Sequence, residues 1–356
     1  MVRRLLLLRA GSGPSDSLFR SLKSGDPSLY IVGCHDDPFV LTKSLADRNY
    51  LTPASPQRVR LRALQRIVKT ERVDLVIPTT DDDVLMIARM REKLPCRVFL
   101  PRTSVIERCQ DKYALATFLR RRGIPVPLTF AISSQKQIEG VFRRLAPRPL
   151  LWCRVRKGSG SFAAIPVKRP DQVRSWISYW QEMRDVPEGS FTLSEYLPGR
   201  DFCVQCLWWN GTLVLAKMAE RIAYIDTGSP SGVSSMASLA KTVFEPKAVK
   251  ACEKAIRALD PKASGAFFID MKENESGTAC VTEINAGRFA SMTNLHDLTG
   301  QHNMASIYVR LGMGERVKLS KPYDFAEDYY IVRSVDTIPA VIHADRLFEG
   351  MEDATD

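Results

Sequence analysis

A basic, glycine-rich segment in the middle of the chain has the composition of a loop that binds phosphate groups. It lies between two stretches typical of β-strands. Glycine permits the positive φ angles and the close backbone approach that let amide groups fold over phosphates. By itself the segment is also consistent with a solvated basic hairpin. The predicted phosphate-binding residues are Arg154, Lys157, Gly158, Ser159, Gly160 and Ser161.

Three oxygen-bearing side chains further along form the most specific set in the sequence. Glu283 and Asn285 are two residues apart, so on a β-strand they point to the same face. Asp270 lies on the preceding strand, which we expect to pair antiparallel through a turn at 274–277. Carboxylates in apolar strands are costly to bury without compensation, and Mg²⁺ binds carboxylate and amide oxygens. We predict a magnesium site here, with a surface hairpin as the alternative.

Other segments complete a nucleotide site. Glu195, Tyr196 and Leu197 join two strands, where main-chain groups can meet a purine edge and the carboxylate can reach a ribose or an amine. Taken alone, this segment is more simply an edge turn. Arg288 could neutralise charge on a transferred phosphoryl group. Arginine at 221 suits bidentate recognition of a carboxylate, although the stretch around it is equally consistent with a mobile surface loop.

Three side chains follow the predicted metal strand and are expected to face the same cavity. They are His296, Asp297 and His302. The four histidines of the chain show no spacing typical of a catalytic triad, so the sequence does not indicate a protein nucleophile.

The elements that must position these residues follow from hydrophobic periodicity. Alternating strands and helices over residues 1–105 predict a doubly wound parallel sheet, beginning with the leucine strand 5–8. From residue 190 the chain becomes rich in strand-like stretches. The helix predicted at 170–184 carries Trp176 and Trp180, which we interpret as core packing. The acidic segment 352–356 is expected to be frayed.

Bulk properties set the limits on function. A chain of 356 residues is long enough for two or three domains. The net charge of +11 is typical of a protein with an anionic ligand, or of a solvated basic surface. There is no nucleic-acid-binding motif, and no apolar stretch approaches membrane-spanning length. The eight scattered cysteines favour reduced core thiols over zinc binding, and hence a reducing cytoplasm.

In their order along the chain, these segments resemble the ATP-grasp superfamily. They are most similar to small single-chain members related to the large subunit of carbamoyl-phosphate synthetase. The resemblance covers nearly the whole chain and implies an α/β fold with an N-terminal doubly wound parallel-sheet domain at 1–105. A two-lobed α+β ATP-grasp module would follow, with its small, flap-bearing lobe at 106–189. The large lobe, with the metal site and a C-terminal extension, would occupy 190–356.

The resemblance also implies roles for individual residues. Lys112 looks like the lysine that contacts phosphates, and Asp201 matches a ribose-contacting acid. Arg221 matches a basic position near the acceptor. Similar proteins often have Glu-x-Asn-Pro-Arg, whereas here two residues separate Asn285 from Arg288.

The activity that the resemblance implies is carboxylate activation. ATP would phosphorylate a small-molecule carboxylate with two Mg²⁺ ions, or Mn²⁺ as a substitute, and an amine would attack the acyl phosphate. The alternatives are a carbamate- or bicarbonate-phosphorylating enzyme, or a basic, nucleotide-responsive binding protein without catalysis. A cytoplasmic homodimer without membrane or nucleic-acid partners is expected.

Overall fold

The computed structural model describes residues 2–55, 57–225, 233–332 and 349–354. Most of the Ser/Gly-rich loop at 228–235, which follows Arg221, lies outside these ranges. Three β-sheets organise the described chain, one parallel and two antiparallel.

The first sheet has six strands, all parallel. Their order is β16 (Met351–Asp353), β3 (Arg48–Leu51), β2 (Tyr30–His35), β1 (Arg4–Leu8), β4 (Leu75–Ile77) and β5 (Arg97–Val98). The accompanying helices are α1 (Gly13–Gly25), α2 (Pro38–Leu41), α3 (Gln57–Glu71) and α4 (Asp81–Met90).

The leucine run of β1 explains its central place. Leu6 and Leu8 pack into one hydrophobic core with α3 and α4. Leu5 and Leu7 pack into a second core with α1 on the opposite face. A parallel strand covered by helices on both faces is expected to be apolar throughout. The predicted doubly wound parallel sheet is confirmed.

The second sheet is antiparallel and carries most of the long strands. Its order is β14 (Ala279–Ala286), β13 (Gly265–Glu273), β10 (Asp201–Trp209), β11 (Thr212–Tyr224), β12 (Ala237–Thr242) and β15 (Tyr330–Val332). Helix α9 (Pro246–Leu259) packs on one face and α11 (Met304–Gly312) on the other. A short helix, α10 (Thr293–Asp297), lies between β14 and α11 in the chain.

The third sheet is antiparallel, with the order β6 (Thr129–Ile132), β9 (Phe191–Glu195), β7 (Leu151–Val155) and β8 (Ile165–Val167). Helices α7 (Ile138–Leu145) and α8 (Pro170–Arg184) share its hydrophobic core. Helices α5 (Thr103–Gln110) and α6 (Lys112–Arg120) connect the first sheet to it. Trp180 is buried in this core, as predicted.

Two features differ from the expectations. The acidic segment expected to be frayed supplies β16, which pairs with β3 and extends the first sheet. The predicted boundary between residues 189 and 190 separates β9 from the other three strands of the third sheet, although β9 lies between β6 and β7 and pairs with both. Both pairings join segments distant in sequence, which local periodicity does not reveal.

A buried lysine ties β11 to the chain that follows β14. The Nζ of Lys217 donates hydrogen bonds to the carbonyl oxygens of His296, at 2.9 Å, and Thr299, at 2.8 Å. It also lies 3.2 Å from Asp324 Oδ2 and 3.6 Å from Asp297 Oδ1. Lys217 is only 1% exposed. Removing its positive charge would therefore leave the negative charges of two buried carboxylates, Asp297 and Asp324, without a cation to compensate them.

We expect Lys217→Met to lower the free energy of unfolding by about 3–5 kcal/mol, because methionine keeps the length but not the charge. Urea titration measures the change. Lys250→Met, on the exposed face of α9, is the matched control and should stay near the wild type. Equal stability of the two variants would contradict a structural role for the buried cation.

His296 is a second buried titratable group at this junction. Neither ring nitrogen has a hydrogen-bond partner in the described part of the chain. Burial, together with the charges of Lys217 and Arg221, lowers the pKa of His296 from 6.5 to about 3. The folded protein therefore keeps the ring neutral, whereas the unfolded chain takes up a proton below about pH 6.5. The stability that this neutrality contributes is complete above that pH and declines toward pH 3.

Between about pH 7.5 and about pH 5, we expect the wild type to lose about 2 kcal/mol more unfolding free energy than His296→Leu does. Urea titrations at both pH values give the difference. His302→Leu, at a partly exposed position, is the control and should keep the wild-type dependence. If His296→Leu showed the same acid sensitivity as the control, the buried neutral ring would not be its source.

Candidate functional site

A cavity of about 1050 Å³ opens where residues from all three sheets meet. Its walls include the first residues of α1, the loop after β4, the turn between β7 and β8, and strands β10, β11, β13 and β14. Of the predicted nucleotide-binding, metal-binding and catalytic residues, Lys157 alone does not line it. Those that do are Lys112, Arg154, Gly158, Ser159, Gly160, Ser161, Glu195, Tyr196, Leu197, Asp201, Arg221, Asp270, Glu283, Asn285 and Arg288.

The predicted magnesium ligands lie on two paired strands. Asp270 on β13 is directly opposite Glu283 on β14, and the register shifts just after Asp270. The Nδ2 of Asn285 donates to Asp270 Oδ2 over 3.2 Å. The turn at 274–277 closes the hairpin as expected. Two carboxylates and one amide therefore line the cavity from a single hairpin.

Arg221 on β11 holds Asp270 from the other side. One guanidinium nitrogen, Nη2, donates to Asp270 Oδ1, and Nη1 lies 2.9 Å from Asp201 Oδ1. The hydroxyl of Tyr224 donates to the other oxygen of Asp201 at 2.5 Å. Burial is the largest single effect and opposes the charge on Arg221, but the neighbouring groups, with Asp270 first among them, together outweigh it and raise the pKa of the guanidinium well above its usual value. The two carboxylates thus occupy the guanidinium fork.

Arg288 links the second sheet to the first. Its Nη2 donates to Asn285 Oδ1 and its Nε donates to Asp81 Oδ1, both at 2.5 Å. Gly287, the extra residue before it, has a φ of 97°. A Cβ there would lie 2.7 Å from Val84. Glycine thus allows the turn that brings Arg288 back to Asn285.

Asp81 was not predicted as a site residue. It begins α4 directly after β4, and the cavity also takes Thr79 and Thr80 from the same loop. Ligand sites in doubly wound sheets lie beyond the carboxyl ends of the strands. The position of Asp81 after a predicted parallel strand was therefore the signal available in the sequence.

Lys112 and Arg154 bring positive charge to Glu283. The Nζ of Lys112 lies 3.5 Å from Glu283 Oε1 and donates to the carbonyl oxygen of Gly158 in the turn. Arg154 donates to the carbonyl oxygen of Thr282 at 2.9 Å, and its Nη1 lies 3.9 Å from Glu283 Oε2. Burial lowers the pKa of the Arg154 guanidinium. Both cations thus lie near the Glu283 carboxylate, but neither donates a hydrogen bond to it.

The glycine-rich turn between β7 and β8 has the backbone expected of a flap. Gly158 and Gly160 have φ angles of 131° and 66°, and Ser161 and Ala163 also have positive φ. The indole nitrogen of Trp176 donates to the carbonyl oxygen of Ala163 at 3.0 Å. One end of the turn is thus anchored to α8.

The segment formed by Glu195, Tyr196 and Leu197, which we name the hinge, differs in one respect from the expectation. The Glu195 carboxylate accepts hydrogen bonds from the Leu128 N–H and from Arg148 Nε, both at 2.8 Å. These contacts hold the end of β9 against β6 and leave the carboxylate already partnered. In contrast, the main-chain N–H and C=O of Leu197 have no hydrogen-bond partner among the described residues. Tyr196 lies beside them in the cavity wall.

The expectation that His296, Asp297 and His302 face the cavity is wrong. None of them lines it. Asp297 Oδ1 accepts from the Met304 N–H at 2.9 Å, and the other oxygen accepts from the Ser21 hydroxyl. Short helix α10 directs Asp297 toward α1 and α11 instead of the metal hairpin.

The donor set fits Mg²⁺. No group of three or more His, Cys, Asp or Glu side chains suited to a metal occurs in the described ranges. However, Mg²⁺ is commonly held by one or two carboxylates together with substrate phosphates. Asp270 and Glu283 supply the carboxylates, and Asn285 adds an amide oxygen. The charged lining residues are five cations and five anions, a balance that a Mg²⁺-bound triphosphate disturbs less than a free one.

Comparison with known proteins gives no match to any family model or curated protein. Solved structures do match. L-amino acid ligase from Bacillus licheniformis has a TM-score of 0.67 and 13% identity, covering 87% of this chain and 74% of that one. The biotin carboxylase domain of Hydrogenobacter thermophilus 2-oxoglutarate carboxylase, with MgADP, ADP and bicarbonate, has a TM-score of 0.72 and 13% identity, covering 93% and 74%.

A third structure is N5-carboxyaminoimidazole synthase from Aspergillus clavatus in complex with ADP and 5-aminoimidazole ribonucleotide. Its TM-score is 0.66 at 14% identity, with 91% of this chain and 80% of that one covered. All three are ATP-grasp enzymes. Identities this low establish a common fold. The chain therefore has the ATP-grasp fold.

Proposed function

We propose that this protein is an ATP- and Mg²⁺-dependent ligase that activates a carboxylate as an acyl phosphate and joins it to an amine. The observation that carries the proposal is the convergence of the flap, the hinge and the Asp270–Glu283–Asn285 hairpin on one cavity. The similar structures support it, because they include an amino acid ligase and two complexes with ADP.

In this proposal the nucleotide lies between the flap and the metal hairpin. Lys112 and Arg154 contact phosphate oxygens, and the amides of 158–161 close over them. Lys157, outside the cavity wall, adds positive potential. The main-chain N–H and C=O of Leu197 form hydrogen bonds with the purine edge, and Asp201 contacts the ribose.

Asp270, Glu283 and Asn285 would hold two Mg²⁺ ions, for which Mn²⁺ is the expected substitute. When bound, the metal neutralises and aligns the β- and γ-phosphates. The protein's own contribution is positioning and charge neutralisation. Arg221 orients Asp270 through its fork, and Arg288 orients the Asn285 amide oxygen. Both guanidiniums line the cavity and would offset negative charge that develops on the transferred group.

The chemistry proceeds in two displacements. A substrate carboxylate oxygen attacks the γ-phosphorus, the bond from that phosphorus to the bridging oxygen breaks, and ADP leaves with the bonding pair. The amine nitrogen then attacks the acyl carbon, inorganic phosphate leaves, and the nitrogen loses a proton. The amide or peptide product retains the carbon skeletons of both substrates.

One wall of the cavity is apolar, which favours an organic acid over bicarbonate as the substrate. This wall includes Phe268, Ala290 and Met292, which belong to one buried apolar cluster. Such a surface is favourable for apolar substrate groups, and bicarbonate has none to offer. A carbamate- or bicarbonate-phosphorylating enzyme is the second candidate, because the H. thermophilus structure contains bicarbonate at a related fold.

We infer a reducing compartment, the cytoplasm, because all eight cysteines are free thiols. No helix of the described ranges combines the length and apolarity needed to cross a membrane. We also propose a homodimer, by similarity to the biotin carboxylase domain dimer.

The direct test is ADP release with Mg²⁺-ATP and hydroxylamine against pooled amino acids and small carboxylic acids, with bicarbonate as a separate pool. Hydroxylamine traps acyl phosphates as hydroxamates. A hydroxamate formed together with ADP would support the ligase and identify the acid. ADP release with bicarbonate alone would favour the second candidate. ATP binding without ADP release from any pool would favour a non-catalytic, nucleotide-responsive binding protein.

We expect Glu283→Ala to reduce ADP production at least about 100-fold, because a proposed metal ligand is lost. Circular dichroism checks that the fold persists. Glu275→Ala, at the exposed tip of the same hairpin, is the matched control. Undiminished turnover by Glu283→Ala would sink the metal assignment.

For Arg221→Ala we expect at least about a tenfold higher Mg²⁺ concentration for half-maximal ADP production, because Asp270 loses its orienting partner. Titrating Mg²⁺ and the carboxylate separately gives the two apparent constants. Arg200→Ala, which removes an ion pair with Glu273 at the end of β13, is the control. A rise confined to the carboxylate constant would instead assign Arg221 to direct substrate recognition.

A further inference from the structure

A second cavity, of about 360 Å³, lies beside α5, α6 and the base of the flap. We name it the arginine pocket. Its wall includes two aromatic rings and four guanidinium groups, which come from α5, from the segment after α6 and from the end of β7. These residues are Arg108, Tyr113, Phe118, Arg121, Arg122 and Arg156.

The charge of the arginine pocket is poorly compensated. Arg156 pairs with Asp111 at 2.6 Å. Within the part of the chain that the structure describes, Arg108, Arg121 and Arg122 have no carboxylate within 4.0 Å. Three guanidiniums that share one concave surface repel each other, and an anion with several charges would relieve that repulsion.

Two of these guanidiniums are held in place by one ring. The Cζ atoms of Arg108 and Arg122 lie 4.3 and 3.6 Å from the centroid of Phe118. Arg122 also donates from Nη1 to the carbonyl oxygen of Phe118 at 3.2 Å. Stacking fixes the plane of a guanidinium while leaving most of its N–H groups free. Less entropy is then lost when an anion binds.

We propose that the arginine pocket binds a small phosphorylated anion and transmits its presence to the flap. Guanidinium forks match phosphate oxygens in bidentate geometry. The volume of this open concavity suits a phosphate or diphosphate on a small organic group, whereas a nucleic acid backbone requires an extended basic stripe. The inference does not depend on the ligase reaction.

The connection to the flap runs through Arg156 and Asp111. Asp111 caps α6 by accepting from the N–H groups of Tyr113 and Ala114, at 3.1 and 3.0 Å. The next residue, Lys112, contacts Gly158 in the flap and lies near Glu283. An anion that draws Arg156 away from Asp111 would loosen this cap and shift the first turn of α6. The nucleotide cavity would then change through Lys112.

Calorimetric titration with inorganic pyrophosphate, in metal-free buffer at constant ionic strength, tests the binding. The main cavity contributes equally to all variants. We expect Arg121→Gln/Arg122→Gln to lose one binding event, or to weaken it at least about tenfold. Arg62→Gln/Arg66→Gln, with two exposed arginines of α3 replaced, is matched in charge and should bind like the wild type.

Equal pyrophosphate binding by the two double variants would overturn the proposal. Loss of binding to a short single-stranded oligonucleotide, with pyrophosphate binding intact, would overturn it in favour of a nucleic-acid surface. Arg121→Lys/Arg122→Lys keeps the charge without the fork and should bind with intermediate affinity. An unfolding curve for each variant establishes that it is folded.

The connection to the flap has its own readout. The affinity for a fluorescent ATP analogue with Mg²⁺ is measured with and without inorganic phosphate. Competition by phosphate in the main cavity is common to all three proteins. Beyond it, we expect phosphate to change this affinity at least about threefold more in the wild type and in Arg62→Gln/Arg66→Gln than in Arg121→Gln/Arg122→Gln. Identical responses of all three proteins would contradict transmission from the pocket.

Discussion

The cost of burying charge is the constraint on which the rest of this structure depends. A carboxylate inside a sheet core is tolerated only when cations or amides meet its oxygens. Asp270 meets this condition because a guanidinium binds one oxygen and an amide binds the other. Each of these partners has a further partner, so the polar groups form one continuous network of hydrogen bonds and ion pairs, which we name the polar network. It consists of Asp201, Arg221, Asp270, Asn285, Arg288 and Asp81.

The polar network also fixes the relative positions of segments that belong to different sheets. Asp81 begins a helix of the parallel sheet, whereas Arg288 follows the last strand of the metal hairpin. The backbone at Gly287 also approaches Val84 and Leu100 so closely that no Cβ would fit, so the same two regions are closely packed as well. The nucleotide cavity is therefore built at a contact that is both electrostatic and closely packed. Its geometry belongs to the assembled molecule and not to any one sheet.

The sequence could predict features that depend on short periods. Two-residue spacing predicted that Glu283 and Asn285 share one face, and the leucine run of β1 predicted a buried strand. It could not predict contacts that depend on long-range pairing. The Glu195 carboxylate is already bound because Arg148, 47 positions away, reaches it from outside its own strand. The direction of His296 depends on a five-residue helix that has too few residues for a periodic pattern.

The pairing of β16 with β3 has a consequence for synthesis on the ribosome. Arg48 and Glu352, which contact each other across this pair, are 304 positions apart. Until residues 351–353 have emerged, β3 is an unpaired edge with free backbone donors and acceptors. Contacts over such separations form late, because loop closure must precede them. The sheet that contains β1 is thus completed only after β16 has been translated, and a chain stalled before that point exposes an edge on which a second nascent chain can pair.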